Sequence, residues 1–89
     1  MSPNQLTGPD IYAVLGDARR RRILELLAES ERSVGALAAE LGVAQPSVTQ
    51  HLSALREVGL VTSEKRGTSS IYSIRREPLD QVTGWIASL

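Results

Sequence analysis

Three residues, Gly42-Val43-Ala44, separate two runs of helical hydrophobic period. Upstream, Val34, Leu37, Ala38 and Leu41 recur at helical spacing behind Ser33, a residue type that caps helix N-termini. Downstream, Val48, Leu52, Leu55 and Val58 form a second stripe that ends at Gly59. This second helix starts near Gln45. Pro46 then falls in its first turn, where a missing N–H costs nothing. Gly42 suits the C′ position of the first helix, which favours positive φ. Two helices joined by so short a glycine-containing turn form a helix-turn-helix.

Beyond Gly59 the period changes. Leu60 to Arg66 and Ile71 to Arg75 read as two strands around Gly67-Thr68-Ser69-Ser70, a hairpin with Tyr72 and Ile74 on its core face. Upstream of the corner, Asp17 caps a helix that runs to about Glu29. Ile23, Leu24 and Leu27 form its buried stripe, with Leu26 beside them. Ile11, Tyr12, Val14 and Leu15 form a short amphipathic helix stopped near Gly16, and Pro78 opens a last helix through Leu89. Residues 1–9, with Pro3, Gly8 and Pro9, read as a flexible tail, leaving 10–89 as one domain. The expected fold is mainly α with a small β-hairpin, in the order ααααββα: a winged helix-turn-helix whose wing is the hairpin.

With 89 residues the chain is marginal alone, and with no cysteine it has no disulfide, thiolate metal site or reactive thiol. Burial against a partner chain is the natural remedy. The N-terminus lacks the basic flank and apolar run of a signal peptide, and no stretch approaches a membrane span, so a cytoplasmic protein is expected, without a membrane partner. One His, no Cys, no paired acids near a nucleophile and no Gly-rich phosphate loop leave no catalytic constellation: the chain is not read as an enzyme and no cofactor is expected.

Formal net charge is zero and the pI is about 6.6, which counts against a nucleic-acid binder until the charges are located. Glu25, Glu29, Glu31 and Glu40 lie in the first half, whereas Lys65, Arg66, Arg75 and Arg76 gather near the hairpin, and local sign matters most to a phosphate. On the helix after the corner, an inward Val48-Leu52-Leu55 stripe turns Pro46, Gln50 and Ser53 outward, with Ser47 and Thr49 flanking and Gln45 at the N-terminal end. This short, polar, uncharged face suits a helix lying in a major groove. Gln pairs with adenine edges, and Ser or Thr serves several bases. The alternative is an ordinary solvated face. The preceding turn and following hairpin favour a recognition helix.

The runs GDARRRRILELLAE, SVGALAAELGVAQPSVTQHLSALREVGLV and KRGTSSIYSI resemble the arsenical-resistance repressor (ArsR) family of bacterial winged-helix regulators, in order and over Asp17–Tyr72. The resemblance implies a homodimeric negative regulator that inserts two copies of the recognition helix into successive major grooves of double-stranded DNA and is released by a signal. It matches Gln45, Ser47, Thr49 and Gln50 to positions that face DNA and Lys65, Arg66 and Thr68 to the wing on the backbone or minor groove. Ser53 joins them from the helix face. Ala44 stands where the family commonly has a capping Ser. The family's metal sites use a Cys-x-Cys-like run, where this chain has Ser33 and Gly35, or Asp and His on the last helix, where it has Asp80 and no His. Metal sensing by either route is not supported, and no metal residue is assigned.

Leu79, Val82, Ile86 and Leu89 form an apolar stripe with Trp85 alongside, and Ile11, Tyr12 and Leu15 supply a second. Both are assigned to a dimer interface, since Trp and Tyr are good anchors and the core is otherwise thin. Such a dimer would bind a pseudo-palindromic operator with half-sites about one helical turn apart. The competing reading is a winged-helix protein-interaction module without DNA binding, supported by the zero net charge. A small organic effector at the dimer interface, or control by expression level alone, both remain open. Arg19–Arg22 reads as a solvated face pairing with Asp17 and Glu25 or Glu29, with phosphate contact as the alternative. His51, the only histidine, reads as structural or as a phosphate contact.

Overall fold

The computed structural model describes residues 10–89; the tail assigned to 1–9 lies outside the described residues. In chain order the elements are α1 (Ile11–Leu15), α2 (Ala18–Glu29), β1 (Arg32–Ser33), α3 (Val34–Leu41), α4 (Gln45–Glu57), β2 (Val61–Arg66), β3 (Ser69–Ile74) and α5 (Leu79–Ala87). The helix boundaries follow from their caps. Asp10 accepts from the Ala13 N–H at 2.9 Å, Asp17 from Arg19 and Arg20 at 2.8 and 3.2 Å, and Ser33 from Ala36 at 3.1 Å. Each satisfies an N–H that the helix itself leaves unpaired.

The corner between α3 and α4 turns on Gly42, whose φ of 67° is left-handed and lets the chain leave α3 while its N–H still bonds the Ala38 carbonyl at 2.9 Å. α4 ends in a paired cap: Gly59 N–H donates to Arg56 O at 3.0 Å, and Leu60 N–H to Leu55 O at 3.0 Å. Leu60 and Leu55 are both fully buried, so the same cap that stops α4 anchors the base of the hairpin in the core.

The core is built by Ile23, Leu24, Leu26 and Leu27 of α2, Leu37 and Ala38 of α3, and Val48, Leu52 and Leu55 of α4. Leu60, Val61 and, from α1, Ile11 and Val14 complete it. The inner stripe of α4 is sealed, with Val48 and Leu55 at 0% exposure and Leu52 at 1%. Tyr72 and Ile74 pack against this core from β3, as the hairpin pattern required.

Two features depart from expectation. The sheet has three strands, in the order β1-β3-β2, because Arg32 and Ser33 pair antiparallel with Tyr72 and Ile71. An N-cap takes extended backbone, as Ser33 does at ψ 165°, and Ser30 at the end of α2 is extended as well, at ψ 154°. The link from α2 to α3 therefore lies straight beside the free edge of β3. The hairpin loop is also shorter than the four residues expected: Ser69 and Ser70 belong to β3, opposite Arg66 and Lys65. The loop is Gly67-Thr68, with Gly67 at φ 63° and no positive φ at Thr68. Glycine at the first central position is the pattern of a type II′ turn, whose twist matches that of the strands, so pairing continues through the serines.

Two predictions follow from the caps. The Asp17 carboxyl lies below its usual 3.8, chiefly because the Arg20 N–H bonds its charged form. Replacing Asp17 by Ala should cost about 1 kcal/mol at neutral pH. Since the folded pKa is the depressed one, this contribution is present above 3.8 and disappears as pH falls through the folded value. Urea titrations of both proteins against pH check this; a stability gap unchanged in acid would refute it. α4, by contrast, has no side-chain cap: Ala44 sits at φ −72°, ψ 148°, in the geometry of a capping residue without its oxygen. Ala44→Ser should stabilise the fold by about 1 kcal/mol, raising Tm by about 4–8 °C. Thermal melts followed by circular dichroism measure it.

Candidate nucleic-acid interface

With its apolar stripe locked inward, α4 turns a polar face to solvent. Gln45, Pro46, Thr49, Gln50 and Ser53 are exposed, while Ser47 is half-buried toward the body. Pro46 leaves one fewer backbone donor in the first turn. Among the described residues this face carries no ionised group between Gln45 and Ser53, His51 lying at its inner edge.

α2 pins α4. Arg20 Nε donates to His51 Nδ1 at 3.2 Å. Because Nδ1 accepts, the ring proton of the neutral imidazole sits on Nε2. His51 is thus structural in the free chain, tying α4 to the start of α2. The neighbouring arginines are largely engaged too. Arg21 Nη1 donates to the Leu15 carbonyl at 2.7 Å and Arg22 pairs with Glu25 at 3.3 Å, whereas Glu29 pairs with Arg32 instead, at 3.0 Å. Asp17 meets Arg19 and Arg20 through their backbone N–H groups.

The wing follows from strand alternation. Residues paired across β2 and β3 share a face, so Val61 with Ile74, Ser63 with Tyr72 and Lys65 with Ser70 line the core side. Thr62 with Ser73, Glu64 with Ile71 and Arg66 with Ser69 line the other. Lys65 is exposed, and so is Thr68 at the tip. Arg66 is occupied: Nε donates to Glu64 Oε1 at 2.6 Å, and Nη1 and Nη2 to the two oxygens of Glu31 at 2.5 and 3.1 Å. Ser73 Oγ adds a bond to Glu31 Oε2 at 3.3 Å. The Arg66 contact is the main reason the Glu31 carboxyl lies below its usual value, and Glu31 in turn raises the Arg66 pKa.

A groove of about 340 Å³ joins the wing tip to the helix-turn-helix. It is lined by Ser33, Val34 and Gly35 at the start of α3, by Gln45, and by Thr68, Ser69 and Ser70. It brings Gln45 and Thr68, two residues expected to face DNA, around one opening. Ser33, Gly35, Ser69 and Ser70 were not anticipated there. The three-stranded sheet is what draws β3 toward the start of α3, and nothing in the local pattern signals that pairing.

The terminal helices form a second surface. Tyr12 and Trp85 meet edge to face with centroids 5.8 Å apart, and Tyr12 Oη donates to the Gln81 carbonyl at 3.2 Å. Tyr12, Trp85, Ile86 and Leu89 are exposed, the last three at 53%, 57% and 87%. Leu15, Leu79 and Val82 are half-buried against the chain's own core. Ile11 does not belong with them: at 4% exposure it is a core residue, because α1 is one turn long and turns Ile11 and Val14 inward together. Among the described residues no helix is long and apolar enough to cross a membrane, and no three His, Asp or Glu side chains gather as a metal site.

Residues 17–63 match the model of the bacterial regulatory protein arsR family. The HTH-type transcriptional regulator KmtR of Mycobacterium tuberculosis is 38% identical over 73 residues, covering 82% of this chain and 56% of KmtR. The transcriptional repressor SdpR of Bacillus subtilis is 25% identical over 86% of each chain. This chain thus spans little more than half of the first relative and most of the second. Among solved structures, a crystal structure of an ArsR family transcriptional regulator superimposes with a TM-score of 0.81 at 32% identity, covering 99% of this chain and 89% of that one. The homodimeric winged helix-turn-helix DNA-binding domain Mb0332 of Mycobacterium bovis gives 0.70 at 33% identity over 84% of this chain and 69% of that one. With a winged helix-turn-helix of this geometry and these likenesses, the chain belongs to the ArsR family of bacterial regulatory proteins.

Proposed function

We propose that this chain is a cytoplasmic, homodimeric transcriptional repressor that binds a pseudo-palindromic stretch of double-stranded DNA. The observation that carries the reading is the outer face of α4: exposed, polar, uncharged, and held at a fixed rotation by a fully buried inner stripe. In this reading α4 lies in the major groove. Gln45, Thr49, Gln50 and Ser53 meet base edges there, with Ser47 at the margin. Lys65 and Thr68 meet the backbone from the wing. Repression accords with SdpR, which is named a transcriptional repressor, and dimerisation with Mb0332, a homodimeric DNA-binding domain. The exposed cluster of Tyr12, Trp85, Ile86 and Leu89 supplies the apolar area a two-fold interface needs.

Fluorescence anisotropy with duplexes from the gene's own upstream region tests the DNA half. Gln50→Ala should lose about 1–3 kcal/mol of discrimination at one base position per half-site. Lys65→Ala should weaken binding to every sequence alike and flatten the slope of log K against log salt by about 0.9 per protomer. Binding indifferent to both changes would refute the assignment and leave a protein-interaction module.

Sedimentation velocity tests the dimer. The wild-type chain should sediment as a dimer at micromolar concentration, and Trp85→Ala with Ile86→Ser as a monomer with unchanged helical content. A monomeric wild type would sink the interface.

A further inference from the structure

We propose that Arg66 is a positioning residue of the wing rather than a contact to DNA: with Glu31 it clasps β2 to the turn before β1, leaving Lys65 as the wing's phosphate contact. The inference rests on the DNA-binding reading above only for its second half.

Alternation separates the two cations. Lys65 shares a face with Val61 and Tyr72, and Arg66 lies on the opposite one with Glu64 and Ser73. Glu31 arrives on the Arg66 face because its neighbour Arg32 pairs with Tyr72 on the other. Side chains from both edges of the sheet and from its central strand therefore meet on one surface. The Arg66 guanidinium is used from all three nitrogens: Nε on Glu64, and Nη1 and Nη2 on the two oxygens of Glu31. Such a fork-to-fork pair fixes orientation as well as distance.

Charge gives the same answer. One guanidinium between two carboxylates leaves the cluster with a net charge of about −1, so a phosphate approaching Arg66 meets repulsion and must displace a bidentate partner. Among the described residues no such pair surrounds Lys65. The clasp also answers a mechanical need. β2 is an edge strand, paired only to β3. Arg66 and Glu31, 35 residues apart in sequence, bridge the sheet from β2 to the start of β1 and the α3 that follows it. An exposed ion pair adds little to global stability. Its consequence here is where the wing points.

The test compares Glu31→Gln, Arg66→Gln, Arg66→Lys and the Glu31→Gln/Arg66→Gln double variant with wild type. The first readout needs no DNA: amide hydrogen exchange in the free protein at Ser69 and Ile71 of β3, which pair with Arg66 and Glu64 of β2. A clasp requires faster exchange in both Gln variants, with the double variant no faster than either single one. Arg66→Lys should behave like Arg66→Gln, since an ammonium cannot span Glu64 and both oxygens of Glu31. Unchanged exchange overturns the clasp. The second readout is the salt slope of duplex binding. It should fall in Lys65→Ala, and any fall in Arg66→Gln should be matched by Arg66→Lys, since both release the wing that carries Lys65. A slope reduced in Arg66→Gln but restored by Arg66→Lys, or tighter binding by Glu31→Gln with the salt slope steepened by the released guanidinium, would make Arg66 a phosphate contact and overturn the proposal. If the wild-type chain binds no duplex, the DNA-binding reading and the role given to Lys65 fail. The exchange measurement then still decides whether Arg66 holds the wing.

Discussion

Everything on the outer surface of this domain depends on the burial of one stripe: Val48, Leu52 and Leu55 on the inner side of α4. A helix has a single rotational setting that hides such a stripe, and that setting dictates which residues face out. Were α4 to turn by one residue, it would submerge part of the polar face and expose a leucine. A buried leucine lost to a cavity costs about 2–5 kcal/mol, a large share of the roughly 4–13 kcal/mol available to a domain of this size. The orientation of Gln50 and Ser53 is therefore enforced by side chains that never meet a ligand. The neighbours are set from the same stripe. The Leu55–Leu60 cap carries the chain straight from α4 into the wing, and Arg20 on α2 holds the helix from its inner edge through His51.

The far end of the molecule is less complete. α5 buries none of its residues fully, and its contacts to the core come from the half-buried Leu79 and Val82. The Tyr12–Trp85 pair closes α1 onto α5 but leaves both rings exposed. A domain that buries the inner stripe of α4 so well and that of its terminal helix so poorly is asymmetric. The packed half sets geometry. The open half is where association with a second chain would add the burial a short chain lacks.

Legibility in the sequence tracks the range of the interaction. Helices announced by stripe and cap were readable because both signals lie within a few residues: Asp17, Ser33 and Gly42 each act where they were expected. β1 was not readable. Two residues show no period, and their pairing with Tyr72 and Ile71 is a consequence of the fold. The hairpin loop was overestimated because Ser69 and Ser70 look like loop residues, while strand pairing answers to turn geometry as much as to side-chain type. Ile11 was assigned outward with Tyr12, yet on a helix of five residues the two lie on different sides and only Tyr12 stays exposed. Arg66 was grouped with Lys65 because both match the wing of the family that the sequence resembles. Alternation already puts neighbours in a strand on opposite faces, but only the path of the chain before β1 could supply Glu31 as its partner.

The zero net charge acquires a physical meaning from this arrangement. Among the described residues, Arg22, Arg32, Arg66 and Arg75 are held by carboxylates, Arg20 by His51 and Arg21 by a carbonyl. Among the same residues no side-chain hold of this kind is seen for Lys65, Arg19, Arg56 and Arg76. A hydrogen bond to a ring nitrogen or a carbonyl leaves the charge of Arg20 and Arg21 in place, but with ten acidic side chains against ten basic ones the domain as a whole generates only a weak general attraction for a polyanion, and non-specific DNA binding is almost wholly that attraction. Discrimination, by contrast, comes from hydrogen bonds at base edges, for which the uncharged α4 face is equipped. On the proposed reading, the chain gives up electrostatic grip on DNA in general and keeps the contacts that distinguish one sequence from another. What matters biologically for a regulator is that ratio, set against the many competing sites of a genome, and not affinity alone.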